Sequence, residues 1–264
     1  MDPGYPGITQ AILLTGARPV FCRCDQDWQI DLKKMDSLFS PLTKAVILSD
    51  PVNPTGQLIK REILKEIAER VVERDIALVL DLTYFDLTET RETLGYLQEY
   101  ADHLILIGSF SKTWIMSGWR VGWLYAPGCI YPHLMICHQT MVSGVDQIAQ
   151  AGACKALQCD YTENRDRILE NTELVWRRCN GMGLDCIKPR GTFYCFPDIR
   201  STGYSDEEFA LHLVKQKKVA VLPGSCFGTG GRGHIRLSCT LEYEQLKQAM
   251  DRIESFVRNC CVRE

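Results

Sequence analysis

Three short runs constrain this chain more than anything else in it: Lys44–Ser49 (KAVILS), Ile76–Leu80 (IALVL) and His103–Gly108 (HLILIG). Each is apolar along nearly its whole length, not at alternate positions. Strands that alternate belong to sheets with one wet face. Strands that are apolar throughout belong to sheets covered on both faces, and these are mainly parallel. Parallel neighbours need a crossover, usually a helix. Between the first two runs lies Lys60–Asp75, with Ile63, Leu64, Ile67, Val71 and Val72 at helical spacing and charges between them. The pattern predicts an α/β fold built on a mostly parallel sheet. Val121–Tyr125 reads as a further strand, Arg18–Cys24 as a short one, and Ile8–Leu14 and Asp31–Phe39 as short helices.

Ligands of such sheets bind outside the carboxyl ends of the strands. Asn53 follows the first run, inside the turn cluster Asp50–Gly56 (DPVNPTG) that no regular element can cross. Asp81 follows the second, with Tyr84 three residues on. Ser109–Trp123 (SFSKTWIMSGWRVGW) follows the third and sets Ser109, Ser111, Lys112 and Arg120 close together. Taken singly, each has an ordinary role: a solvated lysine, a capping aspartate, a turn asparagine, an arginine stacked on aromatic neighbours. Taken together they bring an amine, a carboxylate, an amide, a phenol, a guanidinium and two hydroxyls toward one crevice. That set suits a cofactor carrying both a phosphate and an aldehyde.

After about residue 150 the texture changes. Tyr161–Met182 reads as a long polar helix, followed by short strands at Thr192–Phe196, Val219–Leu222 and His234–Cys239 and a terminal helix from Leu241. This predicts a large domain over 1–157 and a smaller α+β domain over 158–264. Gly228–Gly233 fits G-x-G-x-x-G but precedes a strand instead of opening a helix, so it reads as a turn and not a dinucleotide site. Phe193–Phe196 reads as core strand.

A net charge of −3 gives no reason to expect nucleic acid or an anionic membrane as partner. No apolar run approaches the roughly 18 residues of a membrane span. The 13 cysteines lack zinc-ribbon spacing and read as reduced thiols of a cytoplasmic protein. The five histidines form no H-x-x-x-H pair, so no metal site is expected. The opening MDPGYPG shows no signal peptide. It places a turn where a domain rarely begins, so further residues are expected upstream.

The segments DPGYPG at 2–7, DPVNPTG at 50–56, DLTY at 81–84, SFSKTWIMSGWRVGW at 109–123, RGTFYCFPD at 190–198, LPGSCFG at 222–228 and HIRLSCT at 234–240 run in one order along nearly the whole chain. In this the sequence resembles the class I/II pyridoxal-phosphate-dependent aminotransferases of fold type I. The resemblance implies that Lys112 forms the Schiff base with pyridoxal 5′-phosphate and shuttles a proton. Asp81 would pair with the pyridine nitrogen, and Tyr84 and Asn53 would bond the phenolic oxygen. Ser109, Ser111 and Arg120 would hold the phosphate, Tyr5 would stack on the ring, and Arg236 would grip the substrate α-carboxylate, with Asn53 beside it.

The family's chain extends well ahead of DPGYP, with a phosphate-wrapping loop and an arm to the partner subunit. Neither is in this sequence. The expected partners are an amino acid, a 2-oxo acid and a second copy of the chain. The cofactor motifs leave two other readings open. One is a lyase, either a carbon–sulfur β-lyase or one like aminocyclopropane-carboxylate synthase. The other is a non-catalytic binding or regulatory paralogue. Met141–Gln150 holds no arginine for a second carboxylate, which disfavours a strict dicarboxylate specificity.

Overall fold

The computed structural model describes residues 1–88 and 94–260, and the chain divides into two compact units. One comprises 39–51 and 59–165. The other comprises 1–38, 52–58 and 166–264, so its C-terminal stretch opens at Asp166, against the 157/158 boundary expected from texture, and it takes in two earlier segments as well.

The first of these holds a four-stranded sheet of β1 (Ala45–Ser49), β2 (Ala77–Asp81), β3 (Leu104–Ser109) and β4 (Gly122–Tyr125), in that order. β1, β2 and β3 are parallel, with Ser49 opposite Asp81 and Asp81 opposite Ile107, so their carboxyl ends lie level. β4 runs antiparallel to β3, with Ser109 opposite Gly122. The sheet is mostly parallel, as the apolar runs imply. The crossover from β1 to β2 is the helix Arg61–Glu73, which buries Leu64, Ile67, Ala68 and Val71 while its charges face out. Its burial follows the helical spacing read from the sequence.

β4 packs tightly against β3 at glycine. A Cβ on Gly108 would lie 2.0 Å from the Trp123 indole, and one on Gly122 would lie 2.6 Å from the Gly108 carbonyl oxygen. Two further helices lie in this unit, Tyr131–Val142 and Gln147–Ala156, and only the second buries a face, at Ala149 and Ala153. The first buries no residue and leaves Tyr131, Met135, Ile136, Met141 and Val142 exposed.

The other unit holds β5 (Tyr194–Cys195), β6 (Leu222–Pro223) and β7 (Ile235–Ser238), with β7 central and antiparallel to both neighbours. The helix Thr162–Gly181, from Asp166 on, and the helices Asp206–Lys217 and Tyr243–Cys260 supply Val175, Phe209, Leu213, Met250 and Phe256 to its core. Asp206–Lys217 opens with a capping box: Ser205 accepts from the Glu208 backbone N–H, and the Glu208 carboxylate reaches back to the Ser205 N–H. Cys179, Cys186, Cys195 and Cys239 sit in the core as small apolar residues, and burial pushes the Cys179 and Cys195 thiols up. The twelve described cysteines are free thiols.

Three strand expectations are corrected here. Arg18–Cys24 makes only single bridges, Arg23 with Asp2 and Cys24 with Ile30, because its partner is a turn and not a strand. Thr192–Phe196 contributes only Tyr194 and Cys195, since Thr192 has φ +66° and bends the chain out of the ladder. Val219–Leu222 shifts to Leu222–Pro223.

Gly228–Gly233 is a turn, as expected, and its glycines have a use. The buried Asp2 carboxylate accepts from the Thr229 hydroxyl at 2.7 Å and the Gly230 N–H at 2.8 Å. A Cβ on Gly228 would lie 2.2 Å from Asp2 Oδ1.

Candidate active site

In the sheet unit, two levelled strand ends carry the chemistry. Asp81 closes β2, and its Oδ1 accepts both the N–H and the hydroxyl of Thr83, at 3.0 and 2.6 Å. This short turn fixes the carboxylate while leaving Oδ2 outside those bonds. Tyr84 is buried one residue further on. Lys112, after the end of β3, holds its ammonium 5.9 Å from the centre of the Tyr84 ring. The sequence-predicted amine, carboxylate and phenol are therefore gathered at one end of one sheet.

The loop that carries Lys112 is pinned at intervals. Phe110, Met116 and Val121 are buried against Ala149 and Ala153 of the helix Gln147–Ala156. The Phe110 N–H donates to the Val121 carbonyl and the Met116 N–H to the Phe110 carbonyl, at 3.3 and 3.2 Å. Between the pins, Ile115 and Trp119 are exposed, whereas Thr113 is buried and Trp114 packs against the same cluster. Ser109 Oγ accepts the Ser111 N–H at 3.1 Å, which ties the turn between the two serines. Arg120 is exposed, in the left-handed region at φ 53°, and its Nη1 donates to the Ser117 carbonyl at 2.8 Å. It stands two residues before Gly122, the partner of Ser109.

Ser109 also borders a cavity of about 250 Å³ lined by Leu82, Phe85, Asp86, Leu94, Leu106 and Trp123. Its mostly apolar wall and its one carboxylate do not suit a phosphate.

Tyr5, Asn53 and Arg236 lie in the other unit. Tyr5 is half exposed, with its ring folded over Gly7, where a Cβ would come within 2.5 Å. Asn53 is buried, and its Oδ1 accepts from Arg236 Nη1 at 2.9 Å. The loop that carries Asn53 is closed by Val52 N–H to the Gln57 carbonyl and Gly56 N–H to the Val52 carbonyl, both 2.8 Å. The Arg236 guanidinium carbon lies 4.0 Å from the Tyr194 ring centre and 4.7 Å from that of Phe227. Thr83, Tyr194 and Phe227 were not among the residues singled out from sequence. The Asp81-x-Thr83 spacing of an Asx turn was a readable signal for the first. Nothing local marks the other two.

The family model for aminotransferase class I and II matches residues 1–253. The chain belongs to that family. It is 34% identical over 266 residues to the aspartate aminotransferase of Pyrococcus abyssi, covering 97% of this chain and 68% of that one. It is 35% identical over 259 residues to the probable N-acetyl-LL-diaminopimelate aminotransferase of Bacillus subtilis, covering 97% and 66%. Among solved structures it matches the aromatic aminotransferase from Pyrococcus horikoshii OT3 with a TM-score of 0.92 and 32% identity, over 97% of this chain and 71% of that one. This aminotransferase thus spans about two thirds of the length of the curated relatives it matches.

Pyridoxal 5′-phosphate is the cofactor of this aminotransferase. The donor set fits it. A carboxylate at the end of β2 suits a protonated ring nitrogen, and an amine suits the aldehyde. The hydroxyls of Ser109 and Ser111 and the guanidinium of Arg120, carried at the end of β3 and on the loop after it, are donors of the kind that suit a phosphate.

Proposed function

We propose that the chain carries out amino-group transfer from an amino acid to a 2-oxo acid with Lys112, Asp81 and Arg236 as its working residues. The observation that carries this is the gathering of Asp81, Tyr84 and Lys112 at the carboxyl end of one sheet, with the ammonium 5.9 Å from the phenol ring. When bound, pyridoxal phosphate supplies an electron sink for charge developing at the substrate α-carbon. Asp81 holds a positive charge at the ring nitrogen. Tyr84 and Asn53 orient the ring through its phenolic oxygen, and Tyr5 covers its face. Ser109, Ser111 and Arg120 bind the phosphate. Lys112 would take the proton from the substrate α-carbon and deliver it to the cofactor's aldehyde carbon, C4′. Arg236 takes the substrate carboxylate, with Asn53 fixing one edge of the guanidinium.

The relatives are named for different amino acids, and the substrates of this chain are an amino acid and a 2-oxo acid. We read the working form as a homodimer. The bare apolar helix Tyr131–Val142 supports this. The free thiols support a reducing, cytoplasmic setting. No helix among the described residues is long and apolar enough to cross a membrane.

The test uses the purified chain incubated with pyridoxal phosphate and then with borohydride. Peptide mapping is expected to find the reduced cofactor on Lys112 in preference to the other lysines, and Lys112→Ala is expected to lose the labelled peptide. Label spread evenly over the lysines would reject the assignment.

A further inference from the structure

Arg236 is held more elaborately than a substrate-facing cation requires. It lies on β7, where its Nη1 is engaged by Asn53, and Tyr194 and Phe227 both approach its guanidinium within cation–π distance. Both rings are buried. A guanidinium is weakly hydrated on its faces and carries its N–H donors around its edge. Aromatic rings against it together with an amide on one edge leave a restricted set of donors for a carboxylate. They also remove the rotamer freedom that binding would otherwise have to quench.

Phe227 is itself held from several directions. Its turn, Gly224–Phe227, is tied by the Gly224 N–H to the His234 carbonyl at 2.8 Å and by the Ser225 N–H to the Asp206 carboxylate at 2.7 Å. The Phe227 carbonyl accepts the Gly4 N–H at 2.8 Å. Two residues earlier, Asp2 binds Thr229 and Gly230, which follow Phe227 in the chain. The Asp2–Gly4 turn therefore braces the segment that presents Phe227.

We propose that Tyr194 and Phe227 are positioning residues for carboxylate recognition by Arg236, and that the Asp2–Gly4 turn is the brace that keeps Phe227 in place. The proposal rests on the reading of Arg236 as the cation that takes the substrate carboxylate. Tyr5 follows Gly4 directly, so one turn serves both the carboxylate end and the residue assigned to the cofactor ring.

The test measures dissociation constants of pyruvate and 2-oxoglutarate by calorimetry on the full chain with pyridoxal phosphate present, with far-ultraviolet circular dichroism to confirm folding. Arg236→Lys is expected to lose binding of both acids. Phe227→Leu is expected to weaken it about tenfold, and Phe227→Tyr, which keeps the ring, to stay within about twofold of the parent. Thr229→Val, which removes only the hydroxyl bonded to Asp2, is expected to weaken it about threefold.

A folded Phe227→Leu chain that binds both acids at parental affinity, while Arg236→Lys does not, would overturn the inference and leave the carboxylate reading standing. Parental binding by Arg236→Lys, or no binding by the parent, would overturn both. If Phe227→Leu does not fold, Thr229→Val decides the matter, and parental affinity there overturns the brace.

Discussion

Gly56→Ala is a sharp probe of how the Asn53 loop is built. Gly56 has φ +70°, and an added Cβ would meet Pro189 Cβ at 2.7 Å and the Gly191 and Tyr194 carbonyl oxygens at 3.0 Å each. Two of these three neighbours are backbone. They are held there because the Gly56 carbonyl accepts the Arg190 and Gly191 N–H groups, at 2.8 and 2.9 Å. The left-handed conformation costs a non-glycine residue roughly 1–2 kcal/mol. Overpacking against a fixed neighbour adds about 1–3 kcal/mol. The stiffer unfolded chain returns about 0.4–1 kcal/mol.

The net expectation is a destabilisation of about 2–4 kcal/mol, which lowers the melting midpoint by roughly 4–16 °C for a domain of this size class. Gly118→Ala is the control, because nothing lies within 4 Å of its Cβ position. It should stay within about 0.5 kcal/mol of the parent. Urea titrations of the three chains provide the measurement. A Gly56→Ala chain within about 0.5 kcal/mol of the parent would refute the claim that glycine is required there. Because the same loop aims Asn53 at Arg236, 2-oxo acid binding should weaken along with stability.

Asp206 gives a pH-dependent prediction. Burial alone would raise its carboxyl, but hydrogen bonds from Ser225 and Gly233 outweigh that and hold it below the usual range. A carboxyl depressed on folding stabilises the chain above the unfolded value near 4, and the contribution is lost as pH falls through the lower folded value. Asp206→Asn should therefore be less stable than the parent at neutral pH, with the gap in urea midpoint closing in acid. Parallel midpoint curves would count against it. The apolar helix Tyr131–Val142 predicts self-association. Light scattering should give about twice the 30.0 kDa chain mass, and Ile136→Lys with Met141→Lys should return it toward one chain. A monomeric parent would reject the homodimer.

What could be read in advance, and what could not, divides by the range of the interaction that gives a residue its role. β1, β2 and β3 were visible because strands of a parallel sheet run apolar at nearly every position, although here one face is less covered than that pattern implies and Ile107 stays exposed. Asp81 and Lys112 were visible because each follows such a strand, at the carboxyl end where ligands of parallel sheets bind, and because each sits in a motif of the family's order. The helix Tyr131–Val142 was not visible, since apolar residues all around it leave no period to detect.

Tyr194 is the more instructive miss. An aromatic residue in a short strand packs equally well into a core or onto a cation. Its neighbour on β7 decides which, and that neighbour lies 42 positions away in the chain (236 − 194). Asn53 and Arg236 are 183 residues apart, and Asp2 and Thr229 are 227 apart. No window of sequence contains either pair. Local patterns could therefore supply the two ends of each contact as separate candidates, a turn asparagine and a strand arginine, or a first-turn aspartate and a glycine-rich loop. The topology that returns the chain to its own beginning is what joins them. It makes the Asp2–Gly4 turn, which in sequence looks like a loose end, part of the support beneath Phe227.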